Sequence, residues 1–106
     1  MTNKKVILSV ALFLMLIFFA YSQQPNSIVG EWRGPNNVYY RFDRNGYFMI
    51  GWYQSDVYDD GTYTVIENTI NYTGKKSGNF SHNFSLTGNT LILIYSNGST
   101  EKFTRL

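Results

Sequence analysis

The chain has 106 residues, 18% of them aromatic, with no cysteine, a single histidine and a formal net charge of +2. Without cysteine it has no disulfide staples and no thiolate metal site, and one histidine supplies neither a metal triad nor a histidine pair. The charge excess resides in Lys4 and Lys5, so residues 23–106 carry seven basic and seven acidic side chains and offer no basic surface to nucleic acid or anionic lipid.

The first element in chain order is a targeting segment. Lys4-Lys5 precede an apolar stretch over residues 6–20 that only Ser9 interrupts, and Ala20-Tyr21-Ser22 then leads into Gln23-Gln24-Pro25. A basic start, an apolar run and a small-residue cleavage pattern make a secretory signal peptide. Crossing the hydrocarbon takes about 20 apolar residues, more than this run has. Residues 1–22 are therefore expected to be removed after Ser22. The product would be secreted or periplasmic, with no stable membrane anchor.

Residues 23–106 form one domain-sized unit without helical periodicity. Short β-branched and aromatic runs recur between Gly, Asn, Asp and Ser. Eight strands are predicted, at 28–33, 38–43, 46–53, 61–66, 69–73, 79–86, 90–95 and 100–105. Asn45-Gly46, Asp60-Gly61 and Asn97-Gly98 read as turns, because these residues tolerate positive φ. Residues 54–60 read as the longest loop.

Alternation assigns the faces. Val38, Tyr40 and Phe42 oppose Tyr39, Arg41 and Asp43; Phe48, Ile50 and Trp52 oppose Tyr47, Met49 and Gly51; Phe80, His82, Phe84 and Leu86 oppose Ser81, Asn83 and Ser85. One apolar and one wet face describe an antiparallel sheet around a single core. Short connections make it an up-and-down meander, and an eight-strand meander without bare edges must close into a barrel.

Gly30-Glu31-Trp32 opens the first strand, and Arg105 stands in the last. With Tyr40-x-Phe42-x-x-Asn45-Gly46, Gly61-Thr62-Tyr63 and Leu86-x-Gly88-Asn89-Thr90-Leu91, the chain resembles the small secreted bacterial lipocalin-like domains. The resemblance implies a lipocalin-like β-barrel in which Gly30, Trp32 and Arg105 are structural, with the Arg packed across the Trp. The strand register agrees. Closure brings the first strand against the eighth, and Arg105 shares the inward face of Phe103.

Catalytic and metal chemistry find little material. His82, between Phe80 and Phe84, reads as a hydrogen-bonded core or rim residue. Asp56, Asp59 and Asp60 lack the D-x-D-x-D-G spacing of a calcium loop and read as a solvated turn. Lys75-Lys76 reads as a hairpin tip, and the sequons at Asn71, Asn79, Asn83 and Asn97 as incidental. No catalytic residue, metal site or cofactor is expected. By resemblance, the barrel interior would hold a small apolar or amphipathic ligand against Tyr40, Phe48, Ile50, Trp52, His82, Phe84 and Leu93. The alternative is a protein-interaction or structural domain with a filled barrel, which meets its partner through outward Tyr39, Tyr47 and Tyr53 or through the 54–60 loop with Tyr58. A filled or an empty interior separates the two.

Overall fold

The structure is a computed structural model and describes residues 27–106; the expected signal peptide, residues 1–22, lies outside them. The alternating runs form eight strands: β1 Gly30–Arg33, β2 Val38–Phe42, β3 Tyr47–Trp52, β4 Val57–Ile66, β5 Thr69–Gly74, β6 Gly78–Thr87, β7 Thr90–Ile94 and β8 Thr100–Arg105. Each pairs antiparallel with the next. β1 also meets β8, through Trp32 opposite Arg105 and Arg33 opposite Thr104, and the sheet closes into a barrel. The expected all-β antiparallel meander is the observed fold.

One stretch departs from expectation. The 54–60 loop is only a four-residue turn, 53–56, held by Ser55 N–H donating to Trp52 O at 3.0 Å and Trp52 N–H to Asp56 O at 3.1 Å. β4 already begins at Val57. Its register jumps between Ile50 opposite Asp59 and Gly51 opposite Val57, which leaves Tyr58 bulged out of the ladder. Asp60-Gly61 is therefore no turn but the middle of a strand. Gly61 is small because β5 passes so close there that a Cβ would run into the Thr73 carbonyl oxygen.

The inward register builds the core. Trp32, Phe42, Ile70, Leu91, Leu93 and Phe103 are each at most 1% exposed. On β6, part-buried Phe80, His82, Phe84 and Leu86 alternate with exposed Asn79, Ser81, Asn83 and Ser85, as predicted. Outward Thr69 and Thr73 on β5 donate across the strands to Asn83 (2.9 Å) and Asn79 (3.0 Å) on β6.

Up-and-down topology gives the barrel two distinct ends. One carries the connections 34–37, 53–56, 75–77 and 95–99; we call it the rim end. The other carries 43–46, 67–68 and 88–89, together with residues 27–29 and 106. That second end is closed. Trp32 Nε1–H donates to Ile28 O at 2.8 Å, Ile28 is buried, and Leu106 N–H donates to Glu31 O at 2.9 Å.

Candidate functional site

The residues expected to line a ligand space are mostly packed against one another. Tyr40, Phe48 and Leu93 are buried, and Ile50, His82 and Phe84 are part-buried. Rings from far sides of the barrel meet near its axis. Strands β2 and β6 stand opposite each other in an eight-strand ring, yet Tyr40 and His82 have centroids 6.4 Å apart. Phe42 on β2 reaches Tyr72 on β5 at 6.1 Å, Phe48 on β3 reaches Phe80 on β6 at 6.2 Å, and Tyr40 meets Phe103 edge-on at 5.1 Å. Such separations are those of ring pairs in direct contact. Trp52 is the exception to the expected set. It shares the inward register of Val38, its partner on β2, but stands where β3 runs out, and it is 45% exposed.

Gly30, Trp32 and Arg105 converge at the closed end. The Arg105 guanidinium lies 4.3 Å from the Trp32 ring centroid, a cation–π contact. Its Nη1 donates to Val29 O at 2.7 Å and its Nη2 to Ser27 O at 3.1 Å. Gly30 has φ +139°, and a Cβ there would lie 2.8 Å from Arg105 Nη1. The three residues hold the closed end together.

A second inward group was not foreseen in full. Tyr40, Tyr72, His82 and Glu101 come from four different strands and gather with Tyr95, the first residue of the 95–99 turn. Glu101 points inward because it pairs with buried Leu93. The Tyr95 hydroxyl donates to the Glu101 carboxylate, the His82 ring packs edge-on against Tyr95 at 4.8 Å, and His82 Nδ1 lies 3.1 Å from the Tyr72 hydroxyl. Burial pushes Tyr40 up to about 12 and Tyr72 and Tyr95 well above the usual phenol value, with the Glu101 hydrogen bond adding to the rise at Tyr95. Burial also lowers the His82 pKa, against an opposing pull from Glu101. At neutral pH the three phenols thus stay protonated and the imidazole neutral. Solvent reaches His82, Tyr95 and Glu101, which are all part-exposed.

The rim and the outer face carry the exposed aromatics. Trp52 and Tyr58, the latter 53% exposed, meet edge-on at 6.3 Å beside half-exposed Val57. Lys76 lies 5.9 Å from the Tyr58 ring centroid. On the outer face, Tyr39 and Tyr53 pack at 6.0 Å, Arg33 sits 4.9 Å from the Tyr53 centroid, and the Tyr39 hydroxyl donates to Glu31 at 2.5 Å. Burial and Glu31 together push the Tyr39 hydroxyl up to about 12. Between this face and the 53–56 turn runs a groove of about 230 Å³ bordered by Glu31, Tyr39, Met49, Tyr53 and Gln54.

Asp59 corrects a further expectation. In place of a solvated turn residue it is 2% exposed, because it occupies an inward strand position beneath the β5–β6 hairpin tip. Oδ1 accepts the backbone N–H groups of Asp60 and Lys76, both at 2.9 Å, and Oδ2 accepts that of Ser77 at 3.1 Å. Burial raises the carboxyl pKa, but these donors outweigh it and hold the group below its ordinary value. Asp60 pairs at the surface with Lys75 at 3.3 Å. Among the described residues no cluster of His, Cys, Asp and Glu has the spacing to hold a metal ion.

Compared with known proteins, the chain matches no family model, no curated protein and no solved structure.

Proposed function

We propose that this domain is an exported, non-catalytic, lipocalin-like interaction module that works with a filled barrel and meets a protein partner through its rim and outer aromatic face. The observation that carries this reading is the meeting of Tyr40 with His82 across the barrel axis, at a separation with no room for an enclosed ligand between them. The aromatic supply left over is outside. Trp52, Tyr58 and Val57 at the rim and the Tyr39–Tyr53 face have the composition of contact surfaces, where rigid amphipathic rings combine with Arg and carboxylate partners. The balanced charge of residues 23–106 fits a partner recognised by shape and hydrogen bonding more than by long-range attraction.

Photo-crosslinking in the protein's own host tests this. A benzoylphenylalanine replacing Tyr58 should trap one discrete protein adduct, lost when Trp52→Ala is added. The same probe at exposed Asn83, on β6, should trap none. The reading fails if both positions give the same adducts, or if the protein isolated from its host carries a stoichiometric lipid or other uncharged apolar molecule by native mass spectrometry.

A further inference from the structure

We propose that the inward cluster at the rim end is a binding site for an organic cation, an ammonium or guanidinium group, with Glu101 as its counter-ion and the rings of Tyr95 and Tyr40 as its walls. The site is separate from the Trp52–Tyr58 surface.

The inference starts from how the carboxylates other than Asp56 and Glu67, which are exposed in turns, are partnered. Asp43 pairs with Arg41 at 3.1 Å, Asp60 with Lys75, and Asp59 takes three backbone N–H groups. Glu31 points outward and accepts from Tyr39. Asp59 also faces inward without a cationic side chain, but its backbone donors satisfy it; among the described residues Glu101 faces inward with neither a cationic partner nor a backbone donor, and accepts the Tyr95 hydroxyl. A carboxylate drawn partly out of water, with one neutral donor, has unmet demand for a positive charge.

The surroundings fit the same class of ligand. Tyr95 from the 95–99 turn bonds the carboxylate, the Tyr40 and His82 rings of β2 and β6 stand close enough to feel its charge, and burial keeps the phenols protonated and the imidazole neutral. Among the described residues no cationic side chain pairs with Glu101. Aromatic rings around one carboxylate attract an alkylammonium or guanidinium by charge and by the ring faces together, and have little to offer an anion. Part-exposed Glu101, Tyr95 and His82 give the cation a way in from solvent. The same chemistry could arrive as a free amine or as a Lys or Arg side chain of a protein.

Amide-resolved NMR titration of the domain, residues 23–106, with n-butylammonium tests the site, and an acetylated, amidated Gly-Lys-Gly tripeptide forms a second arm. Butylammonium should shift the amides of His82, Tyr95 and Glu101 with a Kd of about millimolar. Glu101→Gln, which keeps an acceptor for Tyr95, should weaken this by about tenfold or more, as loss of the charge partner requires. Tyr95→Phe keeps both ring and carboxylate and should retain binding within about threefold. A tripeptide that produces the same shifts identifies a protein side chain as the source; butylammonium alone identifies a free amine. The site is overturned if neither probe shifts these amides, if butanol shifts them equally, or if folded Glu101→Gln responds like the parent. Trp52→Ala should leave the titration unchanged, so failure of the crosslinking test at Tyr58 and failure here are separate results.

Discussion

Arg105 is held from two directions, by the Trp32 ring below it and by two carbonyl oxygens of residues 27–29. These contacts join β1, β8 and the segment before β1 at one point. Arg105→Ala and Trp32→Phe should therefore be coupled in a double-mutant cycle of chemical unfolding, by about 0.5–2 kcal/mol; additive effects would mean the contact contributes nothing. Gly30, Trp32 and Arg105 were legible from the sequence because a G-x-W opening and an inward Arg two places after Phe103 are local signals. Glu101 was not. Alternation puts it on the inward face of Phe103 and Arg105, but a charge between Thr100 and Lys102 at a strand's start reads as solvated, and its tyrosine partner lies across the 95–99 turn. Tyr72 and Tyr95 were hidden for the same reason, since their hydroxyls find partners on other strands.

Asp59 binds one element to another. Its carboxylate gathers the N–H groups of Lys76 and Ser77 and so fixes the tip of the β5–β6 hairpin to β4. The residues that explain it lie 17 and 18 positions further on. Reading D-x-x-D-D-G alone therefore suggested a loop, since Asp is rare in strands and Asp60-Gly61 imitates a turn. Asp59→Asn should destabilise the domain by about 1–3 kcal/mol at neutral pH, since neutral acceptors bind amides more weakly and an amide nitrogen accepts none. The pH dependence has a definite sign. A carboxyl whose folded pKa is depressed contributes stability that is present above its ordinary value, 3.8, and lost as pH falls through the folded value. Urea unfolding should show the parent's advantage over Asp59→Asn shrinking below that pH. An advantage unchanged between neutral and strongly acid solution would separate the carboxylate from the hairpin's stability.

On the scale of the whole molecule, the eight seams of the barrel are not alike. Seven join consecutive strands through four to six register pairs each, whereas β1 and β8 share two. The seven can zip up locally, but the eighth must wait for a strand about 70 residues along the chain, and closing so long a loop is slow. Until β8 docks, β1 presents a bare edge, and Trp32 lacks its guanidinium cover. A second chain in the same condition offers an identical β8. Exchange of that strand between two copies would satisfy both edges with native contacts, so the characteristic accident of this fold is a strand-swapped dimer. Refolding at increasing protein concentration should yield a growing dimer fraction that dissociates only on unfolding. A dimer fraction independent of concentration during refolding would show that the last seam closes too quickly for a neighbour to intrude.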